Sequence, residues 1–308
     1  MAEKSNLRIV VHGQQAFGRA VLEKLLARRE NIVAVCAAPD KEGAPPDPLK
    51  ALALENNLPV HQPASWKTAE SLELMRSFKA DVCMMAYVLL FVPGAVLNAP
   101  KHGTFQYHPS LLPMHRGPSS INWPIAMGAT KTGLTIFWPD DGLDEGPVLL
   151  QKTCDIGPDE TLGDVYFKKL FPLGVDAMIE SLDLLARGNA PKIAQDLSRG
   201  SYESWFGKKQ ARLDWSKPGR EVYNIIRASN PQPGAWTTHN RAELAIFDSE
   251  QTAGEGTAGE VLCVDDAGFV VAAGSGAIRI KRVRADGAKI PAAEYAAGSG
   301  LSAGDKLL

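Results

Sequence analysis

The sequence predicts an α/β protein: a Rossmann-like, mainly parallel sheet with helices on both faces, followed by a small C-terminal β-barrel of OB-like type. Three observations predict it. A β-branched run at 7–11 leads through a glycine turn into helical spacing at 16–28, the opening of a βαβ unit. Strand and helix patterns then alternate as far as residue 187. Beyond residue 230 the pattern changes to short strand-like runs separated by Gly and Asp, the texture of a small barrel or sandwich.

In the first helix Phe17, Val21, Leu25 and Leu26 recur at helical spacing. The turn before it reads GQQAFG. That is neither G-x-G-x-x-G nor a P-loop, so no tightly bound dinucleotide is expected, and Gly13 and Gly18 are assigned to a tight turn and close helix packing. Residues 32–37 form the second strand and 39–48 a loop rich in Pro, Gly and Asp. Asp47 caps a helix over 47–57, with Pro48 at its first position. A short strand at 58–60 and a helix at 71–79 follow. Residues 81–90 are strongly apolar and predict a central strand buried on both faces. A turn or short helix at 92–97 precedes a strand at 102–108, a helix at 119–127, a strand at 133–138 and an extended run at 147–155. Residues 161–187 have long helical periodicity, interrupted near Phe171-Pro172. The polar stretch 188–207 marks a boundary between domains 1–200 and 207–308. The second domain opens with a helix carrying Val222, Ile225 and Ile226. Strands at 235–238, 244–247, 259–264, 268–273 and 277–283 follow, with 250–259 a mobile loop.

The chain has 308 residues, 45% of them apolar and 22% charged, an ordinary globular balance with room for about two domains. A net charge of -2 predicts neither a nucleic-acid nor a membrane partner from bulk electrostatics. The four cysteines, Cys36, Cys83, Cys154 and Cys263, are scattered without a CxxC pair, so they read as free thiols in a reducing cytoplasm. The apolar run near the N-terminus is too short for a leader or a membrane span.

The chemistry-bearing stretch is GTFQYHPSLLPMHRGPSSINW, 103–123, followed after another strand by DDGLDEG, 140–146. His108 stands at a strand end, where open α/β sheets place their sites. His102 and His115 compete with it, but each lies beside a cationic residue in a predicted surface turn. Asp144 offers a carboxylate that would orient His108 and fix its tautomer, a minimal acid/base pair if the fold joins the two loops. The acidic loop lacks EF-hand spacing, and solvated turn acids are its bland reading. Gln106 shares a strand face with His108 by alternation, so its amide is placed to donate to a carbonyl oxygen, or to fill a buried network. Asn122 reads as a helix cap or a surface amide.

HPSLLPMHRG, with INW downstream and then GLDEG, resembles the formyltransferase family that draws its one-carbon unit from 10-formyltetrahydrofolate. The run LDWSKPGREVYNIIRASNPQPGAWT resembles the start of the second domain of methionyl-tRNA formyltransferases. YHPSLLPMHRG, SSINW, TIFWPDDGLDEG and LLQK are more similar to the hydrolase units of 10-formyltetrahydrofolate dehydrogenases, whose carrier and aldehyde dehydrogenase parts are not expected here. Gln106 departs from both patterns: the transferases carry Asn there and the hydrolase units an apolar residue. The resemblance implies a cytoplasmic enzyme with no metal that moves the formyl group of 10-formyltetrahydrofolate to water or to an amine, either an amino sugar or methionyl-tRNA. In it His108 handles the proton or the oxyanion, Asp144 orients His108, and Gln106 polarises the formyl oxygen. The pteridine is expected near Ala86, Tyr87, Leu89, Leu90, Phe91 and Pro93, and beside Asp140 and Asp141. A folate-binding module without turnover is the alternative.

Overall fold

A computed structural model describes residues 4–308. It divides into two compact units. The first comprises the chain up to Gly117, Gly133–Cys154 and Lys169–Tyr202; the second comprises Pro118–Thr132, Asp155–Lys168 and Glu203–Leu308.

The first unit is built on a seven-stranded sheet. Its strands are β1 (Arg8–Gly13), β2 (Asn31–Ala37), β3 (Val60–His61), β4 (Val82–Ala86), β5 (Thr104–His108), β6 (Lys131–Phe137) and β7 (Val148–Asp155), in spatial order β3-β2-β1-β4-β5-β6-β7. Strands β1 to β5 pair in parallel, and β6 runs antiparallel to β5, with His108 opposite Thr135. The mainly parallel sheet expected from the alternating pattern is therefore present. Helix α1 (Gln15–Ala27) buries Phe17, Val21 and Leu25, as its periodicity predicts, with Leu22 beside them, while Leu26 is only half-buried. The last residue of β1, at the sheet centre, has little space around it: a Cβ on Gly13 would stand 2.3 Å from the Ala86 carbonyl oxygen. Helix α2 (Pro48–Glu55) starts as predicted. The Asp47 carboxylate accepts from Leu49 N at 2.9 Å, and it also accepts from Gln15 N at 2.8 Å, tying two loops at the sheet's carboxyl end. Helix α3 (Ala69–Ser77) is capped by the Thr68 hydroxyl, and α4 (Gly94–Leu97) is a single turn.

Strand β4 is fully buried, but it is shorter than the apolar run 81–90 suggests. Its pairing with β1 ends at Gly13 and Ala86. With no neighbour beyond that point, Tyr87 turns into the left-handed region (φ 67°), and Leu89, Leu90 and Phe91 are exposed. The long helical stretch is also divided. After α5 (Asn122–Ala126), α6 (Leu162–Val165) passes through a π-helical turn at Tyr166–Leu170 into α7 (Phe171–Ala186), which has Pro172 in its first turn.

The second unit carries α8 (Gly219–Ser229) and the strands β8 (Ala235–His239), β9 (Ala242–Ile246), β10 (Ser249–Thr252), β11 (Val261–Asp265), β12 (Gly268–Ala272), β13 (Ala277–Ile280), β14 (Arg282–Arg284) and β15 (Ile290–Pro291). It ends in α9 (Ala292–Ser299). They form two four-stranded sheets, β10-β13-β12-β11 and β15-β14-β9-β8, in which neighbouring strands pair antiparallel. Trp215, Val222, Ile226, Leu244, Ile246, Phe269, Ile280 and Val283 share one buried core. The mobile loop expected over 250–259 is in part a strand: β10 pairs with β13 from Ser249 opposite Ile280 to Thr252 opposite Ala277. Its sequence, SEQT, has no apolar face because it is an exposed edge strand, so hydropathy could not mark it. Among the described residues no helix is long and apolar enough to cross a membrane.

Candidate functional site

His108 is the last residue of β5, and its ring is buried, with 6% of the residue exposed. Tyr107, the residue before it, points to the other face of the sheet. Its ring stacks on Phe17 at 4.3 Å, and its hydroxyl donates to the Leu170 carbonyl. Gln106 is half-buried and shares the His108 face by alternation. The His108 ring meets two groups from separate loops. Nε2 lies 3.0 Å from the His115 carbonyl oxygen, and Nδ1 lies 3.7 Å from Oδ2 of Asp144. A carbonyl can only accept, so Nε2 carries a hydrogen and Nδ1 is the nitrogen left for the carboxylate. At 3.7 Å that second contact is longer than a hydrogen bond, as acid/base pairs without substrate often are. His115 thus contributes its backbone to the arrangement.

The loop after β5 is held by a polar network under it. Thr135 is wholly buried; its hydroxyl donates to Ser110 O at 2.7 Å and accepts from Leu112 N at 3.0 Å. Gln151 Nε2 donates to Leu112 O at 2.7 Å and to the Thr135 hydroxyl at 3.0 Å. Ser110 Oγ donates to Met114 O, closing the turn around the cis Leu112-Pro113 bond. His115 N donates to Ser201 Oγ at 2.9 Å, and Arg116 N to Ser201 O at 3.1 Å. His115 itself is left-handed (φ 56°), a conformation that costs a non-glycine residue of order 1 kcal/mol or more and persists only where its surroundings enforce it.

Asp144 is held in the same manner. It too is left-handed (φ 56°). Its Oδ2 accepts from Gly117 N at 2.9 Å, so the loop carrying Arg116-Gly117 and the acidic loop are joined at the carboxylate that faces His108. Arg116 forms an ion pair with Glu145, fixing the neighbouring residue. From the far side the Gln195 amide donates to the carbonyls of Asp144 (3.0 Å) and Gly146 (2.7 Å). Gly146 is required there, because a Cβ would lie 1.9 Å from the Trp138 carbonyl oxygen.

The residues named for the pteridine are divided in character. Ala86 is buried at the end of β4, while Tyr87, Leu89, Leu90 and Phe91 leave a run of apolar side chains in solvent. Pro93 precedes α4. Asp141 Oδ1 accepts from Gly94 N at 2.8 Å, which ties the acidic loop to the stretch after β4, and Asp140 caps its own turn by accepting from Gly142 N. The other candidates lie elsewhere. His102 lines a cavity of about 340 Å³ with Lys101, Trp138 and Lys192. Asn122 donates to the Ala228 carbonyl within the second unit. Sequence reasoning missed Thr135, Gln151, Gln195 and Ser201. Each is a polar residue in an unremarkable context, and nothing in its own spacing singles it out. Among the described residues no group of three or more His, Cys, Asp or Glu side chains could hold a metal ion.

Comparison with known proteins bears on this arrangement. Residues 6–182 match the family model described as formyl transferase, and residues 206–300 match that of the formyl transferase C-terminal domain. The chain is 37% identical over 306 residues to the cytosolic 10-formyltetrahydrofolate dehydrogenase of Xenopus laevis, covering 94% of this chain and 34% of that protein. It is 35% identical over 308 residues to the mitochondrial 10-formyltetrahydrofolate dehydrogenase of Homo sapiens, covering 95% and 33%. The chain therefore spans about a third of the length of these relatives. It is 36% identical over 307 residues to the methionyl-tRNA formyltransferase of Trichlorobacter lovleyi, covering 98% of this chain and 97% of that protein. The fold is shared with HypX from Aquifex aeolicus, solved with tetrahydrofolic acid (TM-score 0.67, 20% identity, 95% of this chain and 47% of that one). It is also shared with the sugar 3N-formyl transferase WlaRD (TM-score 0.67, 19% identity, 89% and 97%). On the two family matches and these identities, the chain belongs to the formyl transferase family.

Proposed function

We propose that this protein transfers the formyl group of 10-formyltetrahydrofolate, with His108, Asp144 and Gln106 at the reacting carbon. The observation that carries the reading is the buried His108 ring facing the Asp144 carboxylate at 3.7 Å, within a chain whose relatives are named for 10-formyltetrahydrofolate and for formyl transfer. A nucleophile, water or an amine, adds to the formyl carbon. Gln106 donates to the oxygen as negative charge develops on it. His108 takes the nucleophile's proton, and Asp144 stabilises the resulting imidazolium. The bond between the formyl carbon and N10 then breaks, N10 receives the proton, and the products are tetrahydrofolate with formate or a formylated amine. The exposed apolar run from Tyr87 to Phe91, together with Pro93, Asp140 and Asp141, is assigned to the pteridine.

The test is to incubate the protein with 10-formyltetrahydrofolate, with and without amines, and to measure free formate against formylated product. His108→Ala lowers the rate by about 100-fold or more if His108 does this work. An unchanged rate removes it from the mechanism.

One observation favours methionyl-tRNA among the amines. The match to the Trichlorobacter lovleyi methionyl-tRNA formyltransferase covers nearly all of both proteins. The second unit also presents Lys208, paired with Glu243, and Arg212 around the Trp236 ring, at 5.4 and 5.5 Å from its centroid, and Trp205 is exposed in the same unit. An amino sugar and water are the competing acceptors. Filter binding with initiator tRNA that weakens steeply with salt supports the tRNA reading, and salt-independent or absent binding removes it.

A further inference from the structure

A cavity of about 340 Å³ lies within the first unit and is lined by none of the residues assigned to formyl transfer. It opens beside His102 and Gly103, where the chain enters β5, whereas His108 is the last residue of that strand. At the rise of an extended chain, the steps from Gly103 to His108 span about 16 Å. The cavity wall carries three basic side chains from two segments: Lys101 and His102 before β5, and Lys192 after α7. Among the described residues no carboxylate lines it. Other lysines of this unit find acids on α7: Lys152 pairs with Glu180 at 2.5 Å and Lys24 with Asp176 at 3.3 Å. Lys101, His102 and Lys192 have no such partner among the described residues. Lys192 lies instead over the buried Trp138 ring, with Nζ 4.7 Å from its centroid, which keeps its ammonium at the cavity wall.

The backbone acceptors around the cavity are already used. The Pro191 carbonyl accepts from Trp138 Nε1 at 2.8 Å. The last turn of α7 is closed by Gly188 N on the Leu185 carbonyl (2.9 Å) and by Asn189 N on the Leu184 carbonyl (2.8 Å). Pro100 O accepts from Gly103 N at 2.9 Å, and Leu97 O from the Thr104 hydroxyl at 2.7 Å. What the wall has left to offer is positive charge and donors. A cleft lined by one sign of charge gathers ligands of the other. The volume is about ten times the share of one water molecule in the liquid, more than a single small ion fills. Lys101 and Lys192 stand on separate segments, so a ligand that uses both carries more than one anionic group. We propose that this cavity binds a small polyanion bearing two or more phosphate or carboxylate groups, with Lys101 and Lys192 each holding one of them and His102 donating to the same ligand.

The test uses the intact protein and isothermal titration calorimetry at low ionic strength, where screening is weakest. Inorganic pyrophosphate and citrate are titrated separately, with acetate as the singly charged control. The expected result is saturable binding of pyrophosphate or citrate, at least tenfold tighter than any binding of acetate. Tighter binding of pyrophosphate assigns the site to phosphate-bearing ligands, and tighter binding of citrate to polycarboxylates. Lys101→Gln and Lys192→Gln are each expected to weaken binding about tenfold, as loss of a bond to a charged group does. Lys217→Gln, in the second unit, is expected to leave it unchanged. Saturable binding of neither polyanion, acetate binding as well as they do, unchanged affinity in either lining variant, or an equal loss in Lys217→Gln overturns the proposal. The readout is heat of binding, so none of these outcomes bears on formyl transfer.

Discussion

Oδ2 of Asp144 accepts a hydrogen bond from Gly117 N at 2.9 Å and stands 3.7 Å from Nδ1 of His108. One carboxylate oxygen thus joins the acidic loop to the Arg116-Gly117 turn while presenting charge to the imidazole. The placement depends on groups behind it, Gln195 among them.

Gln195 is the first of these. Its amide holds the carbonyls of Asp144 and Gly146, while its own Oε1 is buried without a partner. Gln195→Ala frees the loop that carries Asp144. The expected cost is about 1–3 kcal/mol of stability, read by urea denaturation. Formyl release is expected to fall through kcat, with little change in KM for the folate.

The opposite end of the first unit has a buried charge cluster. The Glu30 side chain accepts from Ser5 N, from Ser5 Oγ at 2.6 Å and from Arg28 Nε at 3.0 Å, and Arg28 also pairs with Asp183 at 2.5 Å. Arg28→Ala leaves Glu30 buried without its cation. That change is expected to destabilise the protein by about 3–5 kcal/mol, visible as a lower denaturation midpoint. Arg19→Ala, whose partner Glu23 is exposed, is expected to cost less than about 1 kcal/mol.

His12 gives a pH dependence with a definite sign. Its ring packs on Trp66, its Nδ1 has no partner, and burial pushes its pKa down to about 3 from 6.5. The unfolded chain therefore binds the proton more readily than the folded one between those values. The stabilising contribution of the neutral ring is complete above about pH 6.5 and falls as the pH drops toward about 3, by about 1.4 kcal/mol per unit. Between about pH 7 and about pH 4 the unfolding free energy is expected to fall less steeply in His12→Phe than in the wild type, and equal slopes would contradict this.

The sheet was legible because burial imposes pattern. The apolar runs of β1, β2 and β4 and the Asp47-Pro48 helix start are written in residue types. The run 81–90 misled, because an apolar residue reports that water is unfavourable and not what it packs against; beyond Ala86 there is no neighbouring strand to bury Leu89 or Phe91. Strand β10 failed for the converse reason, being an edge strand without an apolar face. At the site, His108 and Asp144 could be named from their loops, since titratable groups after strands are few. Gln195, Ser201, Thr135 and Gln151 could not, because they act through backbone carbonyls and amides up to 86 residues away in the chain, a relationship that no local spacing encodes.

The rate of 10-formyltetrahydrofolate consumption by Asp144→Asn, beside the wild type, tests the His108–Asp144 pair most directly. Asparagine keeps an oxygen to accept from Gly117 N and removes the charge that faces His108, so the loop is retained while the proposed pair is broken. The expected result is a fall of about 100-fold or more with an unaltered melting profile. A variant that turns over at the wild-type rate would contradict it.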